Sequence, residues 1–408
     1  MEIRPIFASL RKHRIPALLI VLEIALACAV LCNAVFMISQ RVAAIHLPNG
    51  IDEQGIAVVT LRGSDDERVA SEIPRNLDAL RRLRGVQAVA AVNTLPLSHN
   101  NWGWSFGTTP DATLTAKNSQ NISMYFIGSG GERALGLQLL QGRLFTEQEY
   151  ADSHFDTSPL AEAHSVIVNQ RLAQAMWPGQ PALGKVLYSL PHYYTVVGVV
   201  ADTLRPNVGD GGPYSYYAAW FPMSAAGSKG ALGHYVVRSA PADRDRLARE
   251  AEQALTALNP DAVAHGVSYG EIRDSYFADM SAMAWMLVLV CVVMLAVTAF
   301  GIVGLTSFWV NQRRRQIGIR RAVGASRGHI MQYFLTENFL LTGAGVALGM
   351  VLAFGINLHL MQHYEMARMP WFYLPGGAVA LWLIGQLAVL GPALRAAAVP
   401  PVVATRSA

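Results

Sequence analysis

Four stretches of the chain carry almost no charge, and each is long enough to dictate its surroundings. From Ile15 to Ser39 the one charged residue is Glu23, and from Ser281 to Val310 there is none. Ile330 to Leu358 holds only Glu337, and Trp371 to Leu394 holds no charge. A membrane-spanning helix needs about 20 mostly apolar residues. The pattern therefore predicts four transmembrane helices, at 15–39, 281–310, 330–358 and 371–394. They account for an overall composition of 52% hydrophobic and 15% charged residues, poor in charge for a single soluble globule and too apolar for a disordered chain. The three cysteines, Cys28, Cys32 and Cys291, all fall inside apolar runs, which excludes a disulfide framework or a cysteine zinc site in the polar stretch between them.

The first run follows a basic segment (Arg4, Arg11, Lys12, Arg14), as a secretory signal would. It is longer than the roughly 7–15 residues of a signal core, and no small-residue cleavage site ends it. It reads as an uncleaved anchor. Basic residues flanking spans stay cytoplasmic. The segment 311–329 holds six arginines and no acid, so it is expected in the cytoplasm, together with the N-terminal flank 1–14 and the tail 395–408. The short loop 359–370 and the segment 40–280 would then lie outside. That outer segment, from Arg41 to Met280, has 19 basic and 24 acidic residues. The excess of acid leaves no basic groove for nucleic acid.

The outer segment reads as a folded α/β domain. A β-branched run at 55–61, a helical pattern from Asp66 to Leu83 and a strand at 86–92 form one strand–helix–strand unit at about 51–99. A strand at 234–238, a helix from Asp243 to Leu258 and a closing strand at 262–267 form a second, at about 223–275. Such units suggest a ferredoxin-like or split βαβ sheet with its helices on one face. Between them, about 100–222 reads as a mostly β insertion, with strands at 165–168 and 194–200 and a short helix at Gln170–Met176. The expected fold class is thus an α-helical membrane protein with four transmembrane helices. It adds a large extracytoplasmic α/β domain, built as two βαβ units flanking that insertion.

Motifs for chemistry are weak. Gly179 to Val186 matches the phosphate-binding loop G-x-x-x-x-G-K up to its last position, where Val186 lacks the hydroxyl that ligates magnesium. Pro178 and Pro181 also interrupt the strand-to-helix setting this loop requires. His359 and His363 have no evident third ligand, and Asn121-Ile-Ser123 is a glycosylation sequon by pattern only. No catalytic residue, metal site or cofactor site is expected. Glu23 and Glu337 stand apart, because an ionisable group at membrane depth costs about 2.5–3.5 kcal/mol on insertion scales. Each must face a partner, the bundle interior or water, as a structural contact or as one that changes in a conformational cycle. Gly345-x-x-x-Gly349 provides a small-residue face for close helix packing. The segment Asn311–Ile330 is basic and partly amphipathic, with Ile317 and Ile319 available to bury and Gly318 and Gly324 as breaks. It suits anionic lipid or a docking partner equally.

Arg315-Gln-Ile-Gly-Ile-Arg-Arg-Ala-Val-Gly-Ala-Ser326, followed by the span bearing Glu337, resembles the FtsX-like permease signature of ABC transporters. The tail from Pro392 to Val402 is similar to that family's ending. Gly136 to Phe145, Val168 to Ala173, Trp177-Pro-Gly179 and Val196 to Asp202 resemble the periplasmic core domain of MacB-type permeases. The resemblance implies a homo- or heterodimeric inner-membrane permease with both termini cytoplasmic, in which a cytoplasmic ATPase drives motion of the periplasmic domains. It implies ATPase contact for Arg313, Arg314, Arg315, Gln316, Ile317, Gly318, Ile319, Arg320, Arg321, Gly324 and Arg327. Gln316 departs from the glutamate usual in the family. With only 14 residues ahead of the first span, the ATPase is expected as a separate polypeptide, and the chain itself as non-catalytic. A periplasmic adaptor and an outer-membrane channel are further expected partners, and efflux of a drug, peptide or other periplasmic substrate the expected activity. Lipoprotein release, regulation of a hydrolase, or an ATPase-independent receptor remain open alternatives.

Overall fold

The computed structural model describes residues 14–63, 66–110, 119–156, 158, 160–208, 212–364 and 369–398. The chain forms two compact units, one of residues 43–279 and one of residues up to 42 and from 280. In chain order the elements begin with α1 (Arg14–Ile45), β1 (Ile56–Arg62), α2 (Asp66–Arg81), β2 (Ala88–Val92), β3 (Gly103–Gly107) and β4 (Ser119–Ile127). Next come α3 (Gly131–Leu135), β5 (Leu139–Gly142), α4 (Glu147–Asp152), β6 (His154–Phe155), β7 (Ala161–Glu162), β8 (Ser165–Asn169) and α5 (Gln170–Met176). They are followed by β9 (Val186–Ser189), β10 (His192–Val200), β11 (Ala218–Pro222), β12 (His234–Arg238), α6 (Arg244–Leu258) and β13 (Val263–Ser268). The last are α7 (Tyr269–Gln312), α8 (Arg314–Ala322), α9 (Arg327–Tyr364) and α10 (Tyr373–Ala397).

In the unit 43–279, the two strand–helix–strand units combine as their spacing predicts. The strands run β2–β12–β1–β13, antiparallel at every pairing, which is the ferredoxin-like order with the insertion in place of its central hairpin. Ile56, Ala57, Val58 and Val59 of β1 are all buried, so this sheet is covered on both sides. Ala57 and Val59 share a core with Ile73 and Leu80 of α2 and with Ala248, Ala251 and Leu255 of α6. Ile56 and Val58 share another with Ala134 and Leu135 of α3 and with Tyr269. The helices of the two units, α2 and α6, lie on one face as expected, while α3 of the insertion, at the end of a glycine-rich turn, covers the other.

The insertion does not stand apart from this sheet. Val92 of β2 pairs with Ile127 of β4, so one sheet of 11 strands carries both parts. Within the insertion the pairing path β4–β11–β8–β10–β9–β3 returns to β4, closing a six-stranded barrel and leaving no free edge along that path. Alternation fills it. Ile122, Met124 and Phe126 of β4 share a core with Val166, Val168, Tyr194 and Phe221, while Tyr125, Ile167 and Trp220 belong to the opposite one. Tyr125 and Trp220, direct partners across the β4–β11 pairing, stack with ring centroids 4.2 Å apart. Asn169, fully buried, accepts from Leu172 N–H to cap α5 and donates to the Thr203 carbonyl, which fixes the turn out of β8.

In the other unit, four helices are long and apolar enough to cross a membrane among the described residues. α7 starts at Tyr269, ahead of its apolar run, and α9 continues to Tyr364 through the first half of the expected loop. Glycines set the packing. A Cβ at Gly345 or Gly349 of α9 would strike Ile24 or Cys28 of α1, and one at Gly377 of α10 would strike Cys32. These positions let the backbones approach closely, and Asn33 of α1 donates to the Ala353 carbonyl at 3.1 Å. The flank 1–13, residues 365–368 of the short loop and the tail from 399 lie outside the described residues, as do the side chains of His359 and His363.

Candidate functional site

The basic segment after the second span folds as α8 and a tight turn. Arg313, Ile317 and Arg321, spaced by four, face inward. Arg313 is 8% exposed and donates to both carboxylate oxygens of Glu337 at 3.1 Å, with Glu337 2% exposed. Its guanidinium also lies 5.6 Å from the Trp309 ring centroid. Ile317 shares a core with Ile330 and Phe334 of α9, and Arg321 donates to the Ala397 carbonyl of α10 at 3.2 Å. Gly318 is buried. The helix ends at Gly324, whose φ of +105 suits glycine, and Ala325 N–H closes the turn on the Arg320 carbonyl at 3.0 Å. Ser326 then caps α9 by accepting from His329 N–H.

The opposite face is open. Gln316, Ile319, Arg320 and Val323 follow helical spacing, and Arg314, Arg315 and Arg327 flank them, all exposed. Ile319 is 49% and Val323 84% exposed, so the surface combines cations with bare apolar side chains. Arg320 lies over the Tyr333 ring, 5.1 Å from its centroid. Of the residues singled out from sequence, the structure thus separates an inward set (Arg313, Ile317, Gly318, Arg321) from an outward one. Glu337 joins the inward set. Glu23 sits elsewhere, its carboxylate occupying the space where Gly301 of α7 has no side chain. Trp309 and Val323 were not expected. Val323 is three residues past Arg320 on the same face, a spacing that could have revealed it.

A second junction lies within the unit 43–279. Arg273, in the first turns of α7, donates to the carbonyls of Ile45 and Leu47 at 2.7 and 2.9 Å and to Glu53 Oε1 at 2.6 Å. Asn49 donates to Tyr269 Oη at 2.7 Å, and that hydroxyl donates to the Pro96 carbonyl at 2.8 Å. The end of α1 and the start of α7 are thereby laced together. Arg273 was not singled out from sequence, since a lone arginine before a span carries no recognisable spacing. Among the described residues no three His, Cys, Asp or Glu side chains are placed to hold a metal ion. Lys185, in the loop like a phosphate cradle, instead donates to Gln180 at 2.8 Å.

Four apolar helices joined to a ferredoxin-like and barrel α/β unit define a multi-span membrane protein with a large domain outside the bilayer. The family of MacB-like periplasmic core domains matches residues 24–254, and that of the FtsX-like permease C-terminal domain matches residues 288–401. The chain belongs to the family of ABC transporter permeases that carry a MacB-like periplasmic core domain and an FtsX-like permease domain. It is 29% identical over 298 residues to the macrolide export ATP-binding/permease protein MacB of Chromobacterium violaceum, covering 69% of this chain and 43% of that protein. It is 26% identical over 405 residues to that of Sodalis glossinidius, covering 92% and 57%. The chain thus spans about half the length of these curated relatives. The periplasmic region of MacB from Actinobacillus actinomycetemcomitans aligns with 55% of this chain and 94% of its own, at 17% identity and a TM-score of 0.37.

Proposed function

We propose that the chain is the permease subunit of an ABC transporter, driven by a separate cytoplasmic ATPase and binding no cofactor itself. The outward face of α8 carries this reading: cations and exposed apolar side chains on a helix anchored from behind by Arg313, Ile317 and Arg321. An acidic surface with a small apolar pocket on the ATPase would complement it. The six arginines of 311–329 support a reading in which this face lies in the cytoplasm of a bacterial inner-membrane protein, with both termini on the same side and the unit 43–279 in the periplasm. Two such subunits, alike or different, would form the working permease, with an adaptor and outer-membrane channel as further partners. Motion received at α8 would pass along α7 to the junction at Arg273, and so to a unit handling a drug, peptide or other periplasmic cargo for efflux.

The test is co-purification of the chain with a cytoplasmic ABC ATPase from the same cells. Replacing Arg314, Arg315 and Arg320 together by Glu should abolish association while the protein still inserts in the membrane. Arg321 is kept, because its bond to Ala397 makes it part of the fold. If association survives the triple change, or the unaltered chain binds no ATPase, the reading fails.

A further inference from the structure

Within the unit 43–279 a cleft runs between α2 and α4. It comprises an apolar pit of about 240 Å³ and an adjoining groove of about 520 Å³, with Arg81, Ser129, Glu147 and Tyr150 lining both. One stripe of α2, formed by Ile73, Leu77 and Arg81 at a spacing of four, faces the pit, and Tyr150 and Ala151 of α4 stand across from it. Ala91, Met223 and Leu232, each fully buried, complete its apolar lining. Here α2 comes from the first strand–helix–strand unit and α4 from the insertion. An apolar pit at the junction of two parts of a fold is where ligands are commonly held.

A second observation is independent of the pit. β2 pairs with β12 along all of Ala88–Val92 but with β4 only at Val92. There Gly128 N–H still reaches the Ala91 carbonyl at 2.8 Å, and the chain then turns away into α3. From Ala88 to Ala90 no strand pairs with this edge among the described residues. Backbone polar groups point alternately to the two edges of a strand. Asn93 N–H and the Ala91 carbonyl are turned toward β4, so Val89 presents its N–H and C=O on the same side. A Cβ at Gly130 would stand 3.7 Å from the Val89 carbonyl oxygen, which sets that oxygen beside the groove that both residues line. An unpaired strand edge is a template for another extended chain.

The polar side chains of the rim are engaged locally. Ser129 donates to Glu147 at 2.8 and 3.0 Å, Tyr150 to Glu132 at 2.6 Å, and Arg81 to Asp78 at 3.0 Å. Recognition therefore falls to the strand edge and the pit. That combination suits an extended peptide, whose main chain supplies hydrogen bonds while alternate side chains supply specificity. We infer that an extended peptide adds to β2 at Val89 as a further strand and sets one branched aliphatic or aromatic side chain in the pit beside α2. The inference rests on the permease reading only in calling that peptide cargo.

The experiment follows the fluorescence anisotropy of a labelled peptide of alternating threonine and leucine, added to the full chain in lipid nanodiscs, with empty nanodiscs as the blank. Saturable binding is expected. N-methylating the amides along one edge of the peptide removes N–H donors and keeps every side chain, and should weaken binding about tenfold or more. Ala151→Trp, which fills the pit from an exposed position on α4, should do the same. Ala257→Trp, at an exposed position on α6, should leave binding unchanged. An unaltered unfolding temperature for Ala151→Trp shows that lost binding is not lost folding; where it falls, the methylated peptide decides on the unaltered chain. Absence of saturable binding overturns the inference, as does equal binding of the methylated peptide or full binding by a folded Ala151→Trp. Peptide binding that separates two copies of the chain assigns the edge to a second copy and overturns it as well. No ATPase takes part, so failure here leaves the permease reading untouched, and the reverse.

Discussion

A carboxylate buried in a membrane helix is tolerable when a cation is fixed beside it, and Glu337 has Arg313 against both oxygens. Breaking such a pair strands a charge, at a cost of about 3–5 kcal/mol, whereas replacing both partners by apolar side chains is often neutral. Arg313→Met should therefore lower the unfolding temperature of the detergent-solubilised chain sharply, and Arg313→Met with Glu337→Met should restore most of it. Glu337 was legible in the sequence as a charge in an uncharged run. Its partner was not, because Arg313 reads as one of six like arginines until the start of α8 brings it against α9. His234 offers a second test. Burial, aided by Arg62, pushes its imidazole down to about 4, and Thr60 Oγ1 lies 2.9 Å from Nδ1. The unfolded chain, with a histidine near pH 6.5, binds the extra proton first as pH falls. Stability from this group is complete above about 6.5 and declines toward 4, by about 2 kcal/mol at pH 5. The drop in unfolding temperature between pH 7.5 and 5 should shrink in His234→Gln.

Elements with local patterns were readable, and those needing distant partners were not. The helices α2 and α6 and the strands beside them follow from spacing, and Gln170–Met176 is the helix expected. Closure of the barrel depends on pairings such as Ala218 with Ser123 and Gly107 with Tyr188, which join residues far apart in the chain and leave no trace in local alternation. The glycines of α9 show the same divide. The motif announces close packing, but only the structure says that Gly345 and Gly349 meet α1 while Gly343 faces open space. Gly349→Val, blocked by the Ala25 backbone and Cys28, should destabilise by roughly 1–3 kcal/mol. Gly343→Val should be nearly silent in the same thermal unfolding assay.

At the scale of the whole molecule, the unit 43–279 has its own cores and its own closed hydrogen bonding. Produced alone, residues 43–279 should be soluble and unfold in a single cooperative transition seen by circular dichroism. Aggregation, or a broad non-cooperative melt, would show that it needs the helices to fold. The division between apolar spans and a soluble domain was plain from charge alone. The continuity of the sheet through Val92 and Ile127 was not, since a single pairing carries it.

The lacing at Arg273 has a consequence for how such a protein can change over time. Because that one side chain grips both Ile45 and Leu47, the polypeptide enters and leaves the outer unit at the same place. Everything between those two points is topologically a cassette. It could be exchanged for the corresponding cassette of a relative by two crossovers in the gene, provided an arginine and a carbonyl-presenting turn are kept at the seam. On the proposed function, new cargo preferences could then be acquired without rebuilding the outward face of α8.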